Sequence, residues 1–116
     1  MFFLHETTYD VNAGHFEAFQ QWLRKNEDVL AESYPEGATY IGTYAAVFGD
    51  AGGAAYKTVV QLDSYGGLDA VADEIAKEGR LGRLLWELSA FTVDGASSRG
   101  RQELWKRARD KVATSG

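Results

Sequence analysis

Histidine is the one side chain whose ordinary pKa lies near neutrality, and this chain of 116 residues has two, His5 and His15. His5 stands in an alternating stretch, Phe2 to Val11, where Phe3, Thr7, Tyr9 and Val11 share its face. It is the candidate general acid or base. Tyr40 and Tyr44 share a face of a second extended stretch, and Tyr56 can join them across a hairpin. Phenols in a cavity orient a carbonyl or phenolate and stabilise developing negative charge. With Tyr9 they form the candidate substrate-binding set, to which Trp22 and Trp86 add apolar walls from two helical segments. Each residue also has a plainer use: a packed or edge histidine, core or interface tyrosines with wet hydroxyls, and tryptophans as core anchors. Glu6 is either a pocket acid or a solvent-facing or interface residue, and His15 belongs to the first turn of a helix at the surface. No motif supports haem ligation by either histidine.

Several chemistries are excluded or unsupported. The chain has no cysteine, hence no disulfide, thiolate nucleophile or Cys-ligated metal centre. No metal site and no cofactor are expected. Gly49, Gly52 and Gly53 lie in a hairpin, not at a helix start where amides cradle phosphate. Arg80 and Arg83 stand near a helix start and suit an exposed surface as well as an anion. With 45% hydrophobic and 25% charged residues the composition is that of an ordinary globular domain. Its apolar stretches are too short to span a bilayer and its start lacks a signal peptide's pattern, so no membrane partner and a cytoplasmic location are expected. The net charge of −5 is uneven: six basic against two acidic residues put the last eighteen positions at +4, while residues 1–98 stand at −9, with six against fifteen. A basic tail on an acidic body suits a polyanion, a partner subunit or its own body. Nucleic acid is not expected, because no aromatic interleaving or reading motif accompanies the charge.

The elements that must position these residues follow from periodicity. Strand one is Phe2 to Val11, broken by Asn12, Ala13 and Gly14. Phe16, Phe19, Leu23 and Leu30 then recur at helical spacing, widened by Trp22 and Val29, up to about Ser33. Tyr34-Pro35-Glu36-Gly37 stops this helix. Thr39 to Phe48 and Tyr56 to Asp63 read as a hairpin. Ser64 is placed to cap a second helix bearing Leu68, Val71, Ala72 and Ile75. Glu78-Gly79-Arg80 interrupts it before Leu81, Leu84, Leu85 and Leu88 resume a helical side, and Phe91 to Val93 offers a short fourth strand. After a polar linker, Leu104, Trp105, Ala108 and Val112 mark a weak terminal helix.

This order predicts an α+β fold, a ferredoxin-like βαββαβ unit over residues 1–96 with a four-stranded antiparallel sheet and two helices on one face. Residues 97–116 are the basic tail with its extra C-terminal helix. The uncovered sheet face predicts a homodimer that closes two sheets together. Thr8-Tyr9 with Gly14, Phe16 and Phe19, the Tyr40-Ile41-Gly42-Thr43-Tyr44 strand, and Val60-Gln61-Leu62-Asp63-Ser64-Tyr65 leading into Leu68-Asp69 give a specific likeness. The chain resembles the dimeric α+β barrel superfamily, and within it the small NIPSNAP-like proteins. Thr7 stands where relatives often carry arginine, so no anion-binding role is carried over, and the basic tail is not part of the shared pattern. The resemblance implies a pocket between helices and sheet, and a range that includes cofactor-free monooxygenases, polyketide cyclases and haem proteins. Two functions result. One is binding of an apolar or aromatic, polyketide-like small molecule, with cofactor-independent monooxygenase or cyclase chemistry at His5. The alternative is a non-enzymatic interaction or stress-related protein using its dimer surface and basic tail.

Overall fold

A computed structural model describes residues 2–48, 55–93 and 101–109. Its order is β1 (Phe3–Asp10), a 3-10 turn (Ala13–His15), α1 (Phe16–Glu32), β2 (Ala38–Ala45), β3 (Ala55–Leu62), α2 (Gly66–Ala76), α3 (Arg80–Ser89) and β4 (Arg101–Lys106). The strands form one antiparallel sheet in the order β2-β3-β1-β4, which is the ferredoxin-like arrangement. Directly paired residues share a face, so the ladder sorts the sheet. Phe3, His5, Thr7 and Tyr9 pair with Leu62, Val60, Thr58 and Tyr56, and all eight point toward the helices. Leu4, Glu6 and Thr8, opposite Gln61, Val59 and Lys57, occupy the other face.

Apolar packing on the helix face holds the layers together. Phe19 of α1 is fully buried among Val11, Tyr56 and Leu88, with ring contacts to Tyr56 at 5.0 Å and Phe91 at 5.7 Å. Leu30 meets Leu81 and Leu84 where α1 crosses α3, and Phe3, Ala38, Val60 and Leu62 form a third cluster under α2. α1 ends as expected before Pro35, and Gly37, at φ +89°, supplies the left-handed residue of the turn into β2. Its carbonyl accepts from the Asp63 amide at 2.9 Å, tying that turn to the end of β3. Ser64 does not cap α2 with its hydroxyl; its carbonyl accepts from the Gly67 amide at 3.0 Å instead.

Two expectations for the C-terminal third need correction. Phe91 to Val93 is not a strand of the sheet: Thr92 makes one isolated bridge to Val11, and the Val93 amide donates to Asp10 at 2.9 Å. The fourth strand comes from Arg101–Lys106, paired with β1 from Phe3↔Lys106 to Thr8↔Arg101. Leu104 and Trp105, assigned above to a terminal helix, are therefore strand residues on opposite faces, because pairing with the free edge of β1 satisfies a whole row of backbone donors and acceptors. Val112 of that expected helix, the Gly49-to-Gly53 turn and the 95–100 linker lie outside the described residues. β2 also ends earlier than expected, leaving Val47 and Phe48 beyond it almost fully exposed.

Candidate functional site

A cavity of about 780 Å³ lies between the sheet and the α2–α3 pair. Its sheet wall is polar at one side, with His5, Thr7, Tyr9, Thr58 and Gln102, and continues into Val60. The helices roof it with Val71 and Ile75 of α2 and Leu85 and Leu88 of α3, and Tyr34 closes one end from beyond α1. An apolar chamber with a few convergent polar groups is the usual form of a small-molecule site. Strand alternation explains the polar wall: His5, Thr7 and Tyr9 stand at i, i+2 and i+4 of β1, and Thr58 and Gln102 flank Thr7 from the strands on either side.

His5 is half-buried, and its Nε2–H donates to Gln102 Oε1 at 3.1 Å. That bond leaves Nδ1 as the basic nitrogen of the neutral ring. The tyrosines are joined differently. Tyr9 and Thr58 share a hydrogen bond of 2.9 Å, Thr58 and Thr43 one of 3.1 Å, and Thr43 and Tyr40 one of 2.7 Å. The Tyr40 hydroxyl donates to Glu27 Oε2 of α1 at 2.7 Å. Burial pushes the Tyr9 phenol up to about 12, against a smaller opposing effect of its hydroxyl bonds. Burial also raises Tyr34 and Tyr40, helped for Tyr34 by Tyr9 and for Tyr40 by the Glu27 carboxylate. All three are neutral phenols at physiological pH.

The structure brings His5 and Tyr9 to one cavity and leaves the other nominated residues outside its lining. Tyr40 faces the helices and stacks on Tyr34 at 5.9 Å, behind the chamber wall. Tyr56 packs against Phe19, and its hydroxyl accepts from Gln20 Nε2 at 3.2 Å. Tyr44 does not share a face with Tyr40, contrary to strict alternation. The register of β2 against β3 slips between Tyr40 and Gly42, a bulge that turns Tyr44 to the far face opposite Lys57. Trp22 donates from Nε1 to Glu87 at 3.1 Å and braces α1 against α3, whereas Trp86 is 66% exposed on α3. Neither lines the chamber. Glu6 lies on the face away from the cavity, 3.2 Å from Lys57, and His15 is exposed beside Phe91.

Sequence reading missed Tyr34, Thr43, Thr58, Gln102 and Glu27. Thr58 carried a usable signal, since hairpin and β1 pairing put a hydroxyl beside Tyr9. Gln102 carried none without knowledge of β4. Among the described residues there is no group of three or more His, Asp or Glu able to hold a metal ion. Nor is any described helix long and apolar enough to cross a membrane.

No family model matches the chain, and no curated protein matches it. Solved structures do. A NIPSNAP domain protein from Burkholderia xenovorans superposes with a TM-score of 0.67 at 14% identity, covering 93% of this chain and 95% of that one. A NIPSNAP family protein of unknown function from Agrobacterium tumefaciens gives 0.63 at 15% identity, with 92% and 88% covered. A Bordetella bronchiseptica protein whose assignment as an antibiotic biosynthesis monooxygenase is provisional gives 0.61 at 8% identity, with 92% and 97% covered. At these identities the likeness is one of fold: the chain has the ferredoxin-like α+β fold of these NIPSNAP and monooxygenase-like proteins.

Proposed function

We propose that this protein binds an aromatic, polyketide-like small molecule in the chamber between sheet and helices, and that His5 removes a proton from it. The observation that carries this reading is a single cavity of about 780 Å³ that combines aliphatic walls with a histidine and a tyrosine. With Nε2–H engaged by Gln102, the Nδ1 lone pair of His5 is the base. A substrate methylene flanked by aromatic rings or a carbonyl yields a carbanion when that proton leaves, and such a carbanion reacts with dioxygen without a cofactor. Two hydrogens and one oxygen atom leave as water, and the second oxygen becomes a carbonyl. The likeness of fold to a monooxygenase-like protein supports the same reading by analogy.

The working unit in this proposal is a homodimer closed through the sheet face that the helices leave uncovered. A second copy suits that face because its charges alternate: Glu6 is held by Lys57 at 3.2 Å and Glu103 by Arg101 at 3.7 Å. The basic stretch supplies β4, so removing residues 97–116 would take away a sheet strand along with the charge. That observation favours the cavity over the tail as the functional element.

The test uses 1,8-dihydroxyanthrone in air, which carries both a phenol and an activated methylene, followed by absorbance of the quinone. Wild-type protein is expected to accelerate its oxidation, and His5→Ala to lower the rate by roughly 10²–10⁴-fold while the far-UV circular dichroism is retained. Absence of binding, or full activity in His5→Ala, rejects the assignment.

A further inference from the structure

The hydroxyls that run from the chamber to α1 are ordered by their one fixed end. An ionised carboxylate only accepts hydrogen bonds, and Tyr40 donates to Glu27 Oε2 at 2.7 Å. A phenol has one proton, so Tyr40 must accept from Thr43 in the 2.7 Å bond between them. Thr43 has then used its own proton and must accept from Thr58, 3.1 Å away. Thr58 in turn must accept from Tyr9 at 2.9 Å. Four consecutive hydroxyls on three strands thus donate in one direction, and each donation strengthens the next. The consequence reaches the chamber: Tyr9 has no proton left for a ligand, and its oxygen offers only lone pairs.

We propose that Glu27, acting through Tyr40, Thr43 and Thr58, fixes Tyr9 as a hydrogen-bond acceptor, and that the chamber's ligand is a neutral phenol or enol donating its O–H to Tyr9. The proposal rests on the cavity reading above and narrows it to a chemical class. Aliphatic walls from Val60, Val71, Leu85 and Leu88 take the ring, and the Tyr9 oxygen takes the hydroxyl. A ligand meeting Tyr9 with a carbonyl, carboxylate or ether oxygen would set two acceptors against each other in an apolar surround, with neither satisfied. This is the reverse of the role read above for Tyr40, Tyr44 and Tyr56, that of donors to a developing oxyanion. Glu27, Tyr40 and Thr43 do not line the chamber and are positioning residues, with Thr43 in the middle of the relay.

The experiment compares the affinities of 2-naphthol and its methyl ether, 2-methoxynaphthalene, measured by fluorescence titration of the full chain. Wild-type protein is expected to prefer the naphthol by about tenfold, the worth of one hydrogen bond. In Thr43→Val, Thr58 loses its acceptor and can turn its proton toward Tyr9. The preference should fall to about twofold or less while the ether binds at least as well as before. Thr43→Ser, which restores the hydroxyl, should restore the preference, an effect that loss of packing would not reproduce. Tyr40→Phe cuts the relay one link further along and should repeat the loss, so the outcome does not depend on one variant folding. Equal wild-type affinities for the two probes overturn the proposal and leave the cavity reading standing. A preference that survives both Thr43→Val and Tyr40→Phe overturns the relay. Binding of neither probe overturns both readings.

Discussion

Tyr9 and Tyr34 are held neutral for the same reason, burial in a largely apolar surround, and for Tyr9 the phenol is pushed up to about 12. A tyrosine in an unfolded chain ionises near pH ~10. Between those values the unfolded state releases a proton that the folded state retains, so stability must fall as pH rises through that window. Below pH ~10 the contribution is fully present, because both states are then neutral. Urea unfolding is therefore expected to give a flat stability from pH 7 to about 9.5 and a decline above it, with Tyr9 responsible for on the order of 2 kcal/mol by pH 12. Tyr9→Phe has no proton to release. Its stability should be lower than wild type at neutral pH, for want of the Thr58 bond, yet decline less steeply above pH ~10. Equal slopes for the two proteins would mean that burial does not hold this phenol.

The break between α2 and α3 sets how closely the chamber's roof is folded on itself. Gly82 lies so near the end of α2 that a Cβ would stand 2.9 Å from the Ile75 carbonyl oxygen, a backbone atom that cannot swing aside. Gly82→Ala should cost about 1–3 kcal/mol in thermal or urea unfolding, as an overpacked contact does. Gly14→Ala, in the open turn before α1 with no atom within 4 Å of the added carbon, should be neutral or gain up to ~1 kcal/mol. Equal effects would remove the close approach as the reason for glycine at 82. These elements differed in how plainly the sequence declared them. Apolar periodicity marked α1, α2 and α3, alternation marked β1, and glycines marked the hairpin. β4 was hidden because Arg101, Gln102, Glu103, Leu104 and Lys106 are good helix formers, and their strand state is imposed by the vacant edge of β1. Losing β4 also lost Gln102, the partner of His5. The bulge before Gly42 was illegible for a different reason: one extra residue changes the face of everything after it, and no residue type announces the slip. That single slip separates Tyr40, at the head of the relay, from Tyr44 on the far face.

At the scale of the whole molecule, the far face of the sheet is half of a core. Its cross-strand rows run Trp105, Leu4, Gln61 and Thr39; then Glu103, Glu6, Val59 and Gly42; then Arg101, Thr8, Lys57 and Tyr44. Trp105 and Leu4 stand exposed side by side at one end, and Tyr44 is exposed at the other. A domain of this length has one core, here spent on the helix face, so a second copy is the economical cover for these residues. Burying what remains exposed of Trp105 is worth about 2 kcal/mol per copy, hence about 4 kcal/mol in a two-fold dimer, which is close to a thousandfold in affinity. Trp105→Glu removes that area and sets a third carboxylate beside Glu103 and Glu6. Sedimentation velocity should show a wild-type dimer and a Trp105→Glu monomer at the same concentration. Trp86→Glu, on the helix side of the molecule, should leave the dimer intact, and circular dichroism should be unchanged in both variants. A wild-type monomer at high micromolar concentration, or a Trp105→Glu chain that stays dimeric, would mean that this face is covered by something other than itself.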